Sequence, residues 1–157
     1  MLHSRRRAQT SLEVLFITAL ILTGVLIIVP PYLHENVVTS AVTYVRNSAS
    51  DACAYLNTGV VVNESLYEPL NEIIEAVNYT YRAFQISGIE TEETEGRIRV
   101  KVGISYTGSG MDEGAIESGI REYIEGDLTS RTNVVEKKGK LYLNGYEIEI
   151  EVDVVRT

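Results

Sequence analysis

The chain is poor in the residues that most often carry chemistry. It has one cysteine, Cys53, so no disulfide can close within it and any fold holds by packing alone. Only two histidines occur, His3 and His34, which excludes a histidine zinc site or a histidine general base in the body of the chain. Cys53 therefore lacks a partner for a hydrolase dyad. Calcium loops alternate oxygen ligands around a turn-forming glycine, and no Asp-x-Asp-x-Asp-Gly run is present. Cations are scarce as well. Of 14 Lys and Arg, three are Arg5, Arg6 and Arg7, leaving 11 against 22 acidic residues after Ala8, a formal charge of −11. Phosphate neutralisation needs clustered Lys and Arg, so nucleic-acid binding is excluded. The one glycine-rich run, Gly108-Ser109-Gly110-Met111-Asp112-Glu113-Gly114, puts two carboxylates where a phosphate would sit, and it reads as a strand-to-helix turn. No catalytic residue, cofactor or metal is nominated, and the expectation is a protein without enzymatic activity.

What the chain does have is concentrated at its start. Arg5-Arg6-Arg7 runs into Ala8-Gln9-Thr10-Ser11-Leu12-Glu13, and then no charge occurs from Val14 to Val29. Sixteen helical residues span about 24 Å, and adding Leu12, Tyr32 and Leu33 reaches the ~30 Å of a bilayer core. A secretory signal would be shorter and followed at once by a small-residue cleavage site. Here Pro30-Pro31-Tyr32 follows, and Thr39-Ser40-Ala41 lies too far downstream. Arginines before the segment and acid after it predict an amino terminus in the cytoplasm and a domain outside. Glu13 stands out, because a lone carboxylate at the mouth of a membrane helix costs a few kcal/mol unless it pairs or stays at the interface.

Basic residues, Ala8, Gln9-x-Ser11-x-Glu13 and an apolar helix together resemble the class III signal of archaeal type IV prepilins. The resemblance covers about the first twenty-five residues and departs from the usual pattern in having Ala8 where glycine is common. It implies that a prepilin peptidase cuts between Ala8 and Gln9, removing a basic leader of residues 1–8 and leaving the helix on the mature subunit. It also implies that Glu13, then the fifth residue, neutralises the new α-amino group of a neighbouring subunit, with Ser11 beside it in the assembly segment. The partners implied are the peptidase, copies of the chain itself or other pilins, and the membrane. The implied location is the cytoplasmic membrane as precursor and the cell surface after assembly. The alternative is an uncleaved membrane anchor carrying an extracytoplasmic binding or accessory domain of a surface or export complex. Two sequons, Asn63-Glu64-Ser65 and Asn78-Tyr79-Thr80, make Asn63 and Asn78 candidate glycosylation sites.

Periodicity organises the remainder. Apolar residues at Val38, Ala41, Val42, Val45, Ala49, Ala52, Cys53 and Leu56 predict that the helix continues outward, with Pro30-Pro31 marking a kink or short break and Asn57-Thr58-Gly59 ending it. Cys53 falls on that face and is expected to be a small core residue. The expected divisions are residues 1–8 as leader, 9–31 as transmembrane helix, 32–57 as amphipathic helix and 58–157 as the outer domain. A capping box at Ser65 and Glu68 predicts a second helix through Leu70, Ile73, Val77, Tyr81 and Phe84 to Ser87-Gly88, followed by a solvated acidic loop from Glu90 to Gly96. From Arg97 to Tyr106 the period changes to two and predicts a strand. A helix follows, capped by Asp112 and led out by Arg131-Thr132. Asn133 to Lys137, Lys140 to Leu143 and Tyr146 to Val155 then predict strands, the last two joined by Asn144-Gly145. The expected class is α+β: a long N-terminal helix, then antiparallel strands packed with two helices.

Overall fold

The computed structural model describes residues 2–77 and 83–157, with side chains at 12–30, 34–77 and 83–157. Helix α1 spans Leu2–Thr58; a 3₁₀ turn at Ser65–Tyr67 leads into α2, Glu68–Ala76. Strands β1 (Phe84–Thr94) and β2 (Arg97–Tyr106) precede α3 (Glu113–Arg131), and β3 (Val135–Lys137), β4 (Lys140–Leu143) and β5 (Tyr146–Arg156) complete the chain. The class is α+β, with a long apolar N-terminal helix and one five-stranded sheet in the order β1-β2-β5-β4-β3. The chain divides into two compact units, Met1–Val37 and Val38–Thr157, and α1 runs through both.

α1 is one helix that continues outward, as the apolar spacing predicts. Helix continues through Pro30 and Pro31 without a break. Two adjacent prolines remove two N–H donors from a ladder more than fifty residues long, and helix already propagated on both sides holds the remaining bonds. At the far end Gly59 adopts φ 64° and its N–H returns to the Leu56 carbonyl 3.3 Å away, a left-handed stop within the expected Asn57-Thr58-Gly59 end.

In the second unit the core lies between the helices and one face of the sheet. α1 contributes Ala41, Val45, Ala49, Ala52, Cys53 and Leu56, all buried, at the predicted helical spacing. Cys53 is a core residue as expected, and burial pushes its thiol up to about 12. α3 adds Ile116, Ile120, Tyr123, Ile124 and Leu128. Where α2 meets α3, a Cβ at Gly119 would lie 2.9 Å from Ile73 Cδ1 and 3.0 Å from the Pro69 carbonyl, so a larger residue there would push both aside. The sheet closes the core with Ile98, Val100, Val102, Ile104 and Tyr106 of β2 and Ile148, Ile150, Val152 and Val154 of β5.

The second helix is much shorter than its pattern predicts. It ends at Ala76, where Val77 is extended (φ −93°, ψ 143°), and Tyr81 lies outside the described residues. The run Val77-Asn78-Tyr79-Thr80-Tyr81 is rich in β-branched and aromatic residues that disfavour helix. The capping box is not formed either. Glu64 precedes the 3₁₀ turn without a side-chain bond, and Pro69 sets the start of α2. Asp112 does sit at the N-cap of α3, yet its side chain makes no capping bond.

Phe84 to Thr94, expected as helix end and acidic loop, is strand β1. The reason is its neighbour. Glu90 pairs across from Lys101, Glu92 from Arg99 and Thr94 from Arg97, so strand pairing places the carboxylates against cations. Ser87-Gly88 forms a bulge there, with the register shifting between Ile86 and Gly88 opposite Gly103. The sheet is also mixed. β2 and β5 run parallel from Arg97↔Glu147 to Tyr106↔Arg156, whereas the expectation was antiparallel throughout. The connection between them contains α3, the kind of crossover that parallel neighbours require. The Asn144-Gly145 hairpin is as predicted, with φ 50° and 92°.

Candidate functional site

The feature with the least support from its own chain is the apolar stretch of α1. Leu12, Phe16, Leu20, Leu26 and the other large apolar residues up to Val29 are 41% to 74% exposed, on every face of the helix. This stretch has a mean hydropathy of 2.7 over 18 residues, long and apolar enough to cross a membrane by length and composition. Its sequence, Val-Leu-Phe-Ile-Thr-Ala-Leu-Ile-Leu-Thr-Gly-Val-Leu-Ile-Ile-Val, is crowded with β-branched residues that lower helix propensity in water. In an apolar medium the order of preference reverses, because only helix satisfies every backbone group within the segment. Its hydroxyls follow the same rule. Thr18 Oγ1 donates to the Val14 carbonyl and Thr23 Oγ1 to that of Ala19, both at 2.8 Å, so neither needs water.

Glu13 is exposed at the mouth of this stretch, and no other charged residue occurs until Glu35. Ala8, Gln9 and Ser11 belong to the same helix, but their side chains lie outside the described residues. Asn63 is exposed on the segment joining α1 to the 3₁₀ turn. That segment is pinned: Tyr55 Oη accepts the Val62 N–H at 2.7 Å, and Asn71 Nδ2 donates to the Val62 carbonyl at 2.8 Å. Asn78 lies outside the described residues. The nominated residues thus fall along one helix and one loop, without converging on a cleft.

In the domain half of α1 the sequence reading missed a buried polar junction. Ser48 Oγ donates to Asp127 Oδ2, and Asp127 Oδ1 lies 3.1 Å from Arg131 Nε. Arg131 also reaches Tyr67 Oη at 3.5 Å, which stabilises its charged form. Tyr67 packs between Tyr55 and Tyr123, with ring centroids 4.6 and 5.5 Å away. Burial first, then the Asp127 carboxylate, pushes the Tyr123 hydroxyl well above its ordinary range. Both polar residues were visible as interruptions of apolar stripes, Ser48 beside Val45 and Ala49, and Asp127 between Ile124 and Leu128. Asn57 acts similarly. Its side chain donates to the Phe84 carbonyl at 2.7 Å and accepts the Phe84 N–H at 3.0 Å, standing in for a neighbouring strand at the start of β1.

The glycine-rich turn wraps an aromatic ring. A Cβ at Gly108 would collide with the Tyr106 ring and its Oη; that ring stacks on Phe84 at 4.7 Å and carries Arg156 5.7 Å above it. Arg156 Nη2 ties the turn by donating to the Met111 carbonyl at 2.8 Å. Among the described residues no three of His, Cys, Asp and Glu gather as metal ligands. No family model matches the chain, and no curated protein or solved structure matches it either.

Proposed function

We propose that this chain is a structural subunit of the type IV pilin kind, major or minor. In this reading it enters the cytoplasmic membrane through α1, with its amino terminus inside and the acidic domain outside. A prepilin peptidase trims it between Ala8 and Gln9, and the helix then exchanges lipid for the same helix of neighbouring subunits. Glu13 sets register by pairing with a neighbour's new α-amino group. A charge pair in apolar surroundings is tolerated only when compensated in this way. The observation that supports the reading most is the charge-free stretch exposed on all faces of one helix, with its single carboxylate at the end nearest Gln9. The domain half of α1, bound into its own core, would hold the outer domain to that helix.

Glu13→Ala tests the mechanism. The variant should insert into membranes like the native chain yet fail to enter filaments sheared from cells, scored by immunoblot of sheared and detergent fractions. Assembly at the native level would remove Glu13 from the mechanism, and a native chain found only in the detergent fraction would favour a tethered accessory domain.

A further inference from the structure

The strand beside β5 stops early. β4 pairs with β5 only from Leu143↔Tyr146 to Leu141↔Ile148, so the same edge of β5 faces no strand from Glu149 to Arg156 among the described residues. Its parity is fixed by two bonds. The Glu147 N–H goes to Gly96 on the β2 side at 2.9 Å, while the Val154 N–H turns the other way to Glu117 Oε1 of α3 at 3.0 Å. Strand alternation therefore turns the backbone groups of Ile150 and Val152 toward the open edge. Glu117 occupies, at Val154 alone, the place a neighbouring strand would take.

This edge lies along a groove. One part, about 770 Å³, runs between α3 and the end of β4, and a second, about 380 Å³, continues beside Val152 toward Gly114. Its helical wall extends from Gly114 to Thr129, about 22 Å at 1.5 Å per residue, the length of a strand of six or seven residues. The two flanks differ in charge compensation. On the outer face Glu149, Glu151 and Asp153 already pair with Arg97, Arg99 and Lys101 of β2. On the helix Glu122 and Glu125, and on β3 Glu136, have no salt bridge within 4 Å among the described residues. The Glu125 carboxylate is raised by burial, with Glu122 and Glu136 pushing the same way and Arg121 opposing.

We infer that the open edge of β5 is a strand-addition site for an extended, basic segment of a partner protein, which pairs its backbone with Ile150 and Val152 and directs alternate Lys or Arg residues at Glu122 and Glu125. Main-chain pairing supplies affinity in this mode, and the alternate side chains supply choice of partner. The charge pattern selects the occupant. A neutral or acidic strand leaves the two helix-side carboxylates uncompensated, whereas a cation on every second residue meets them. Without a partner, the same charges protect an unpaired edge from indiscriminate pairing.

The test uses the full chain in detergent and a heptapeptide alternating lysine and valine. The peptide should bind saturably, slow hydrogen exchange at the Ile150 and Val152 amides, and lose at least tenfold in affinity against the E122K/E125K variant. A version of the peptide N-methylated on alternate residues should not protect those amides. Binding that leaves the Ile150 and Val152 amides unprotected would reduce the groove to a nonspecific acidic surface and overturn the proposal, as would no binding. Protection that appears without peptide and grows with protein concentration would assign the edge to a second copy of the chain, and would overturn it too. None of these outcomes depends on where the amino terminus is cut.

Discussion

The two halves of α1 share one backbone and meet opposite surroundings. From Val38 onward the helix turns a narrow stripe inward, and Ala41, Val45, Ala49 and Ala52 on it are fully buried in its own domain. From Leu12 to Val29 the large apolar side chains lie on every face of the helix and are at least 41% exposed. A helix with one apolar stripe is completed by its own chain, whereas one that is apolar all round takes its surroundings from elsewhere. In this account lipid provides them first and other copies of the helix provide them later.

Substitutions of equal size in the two halves of the molecule separate these roles. Ile124→Ala empties a fully buried site and should cost the domain about 2–5 kcal/mol, whereas Ile21→Ala, exposed on α1, should leave domain unfolding within about 0.5 kcal/mol. Thermal unfolding in detergent compares the two, and equal losses would erase the distinction. Ser48→Ala should cost about 1–3 kcal/mol, because it withdraws a donor from the buried Asp127 carboxylate. Restoring the hydroxyl with Ser48→Thr should recover part of that loss.

Cys53 gives a smaller effect that depends on pH. Its thiol rises from 9.0 to about 12 in the fold, so the native state keeps a proton that the unfolded state gives up. The resulting stabilisation is complete below pH 9 and declines as pH rises toward 12, by at most about 1.4 kcal/mol per unit. Urea unfolding at pH 8 and pH 10 should show the decline, and Cys53→Ala should reduce it, with the raised Tyr106 and Tyr123 hydroxyls supplying the rest. The folded chain should also resist iodoacetamide at pH 8.

Much of this was legible where a local pattern determines its own outcome. Alternation in β2 and β5, the Asn144-Gly145 turn, the extent of α3 and the inward face of Cys53 each follow from residues adjacent in sequence. Misreadings arose where the deciding partner is distant. The acidic run from Glu90 looked like a solvated loop because its compensation, Arg99 and Lys101, lies across the sheet. The parallel pairing of β2 and β5 has no local signature, yet the cations Arg97, Arg99 and Lys101 and the anions Glu147, Glu149 and Glu151 match position by position in that register. The candidate assembly segment is the reverse case. Its composition and the placement of Glu13 were plain in the sequence, and its large apolar side chains stay exposed among the described residues.

The most direct test of the account is the first residue of the protein purified from its native host, read by intact mass and by the sequence of its amino-terminal peptide. The account predicts a chain that begins at Gln9, or at its cyclised form, with Arg5, Arg6 and Arg7 absent. A chain that begins at Met1 or Leu2 and retains those arginines would contradict it, leaving α1 as a permanent membrane anchor for the outer domain.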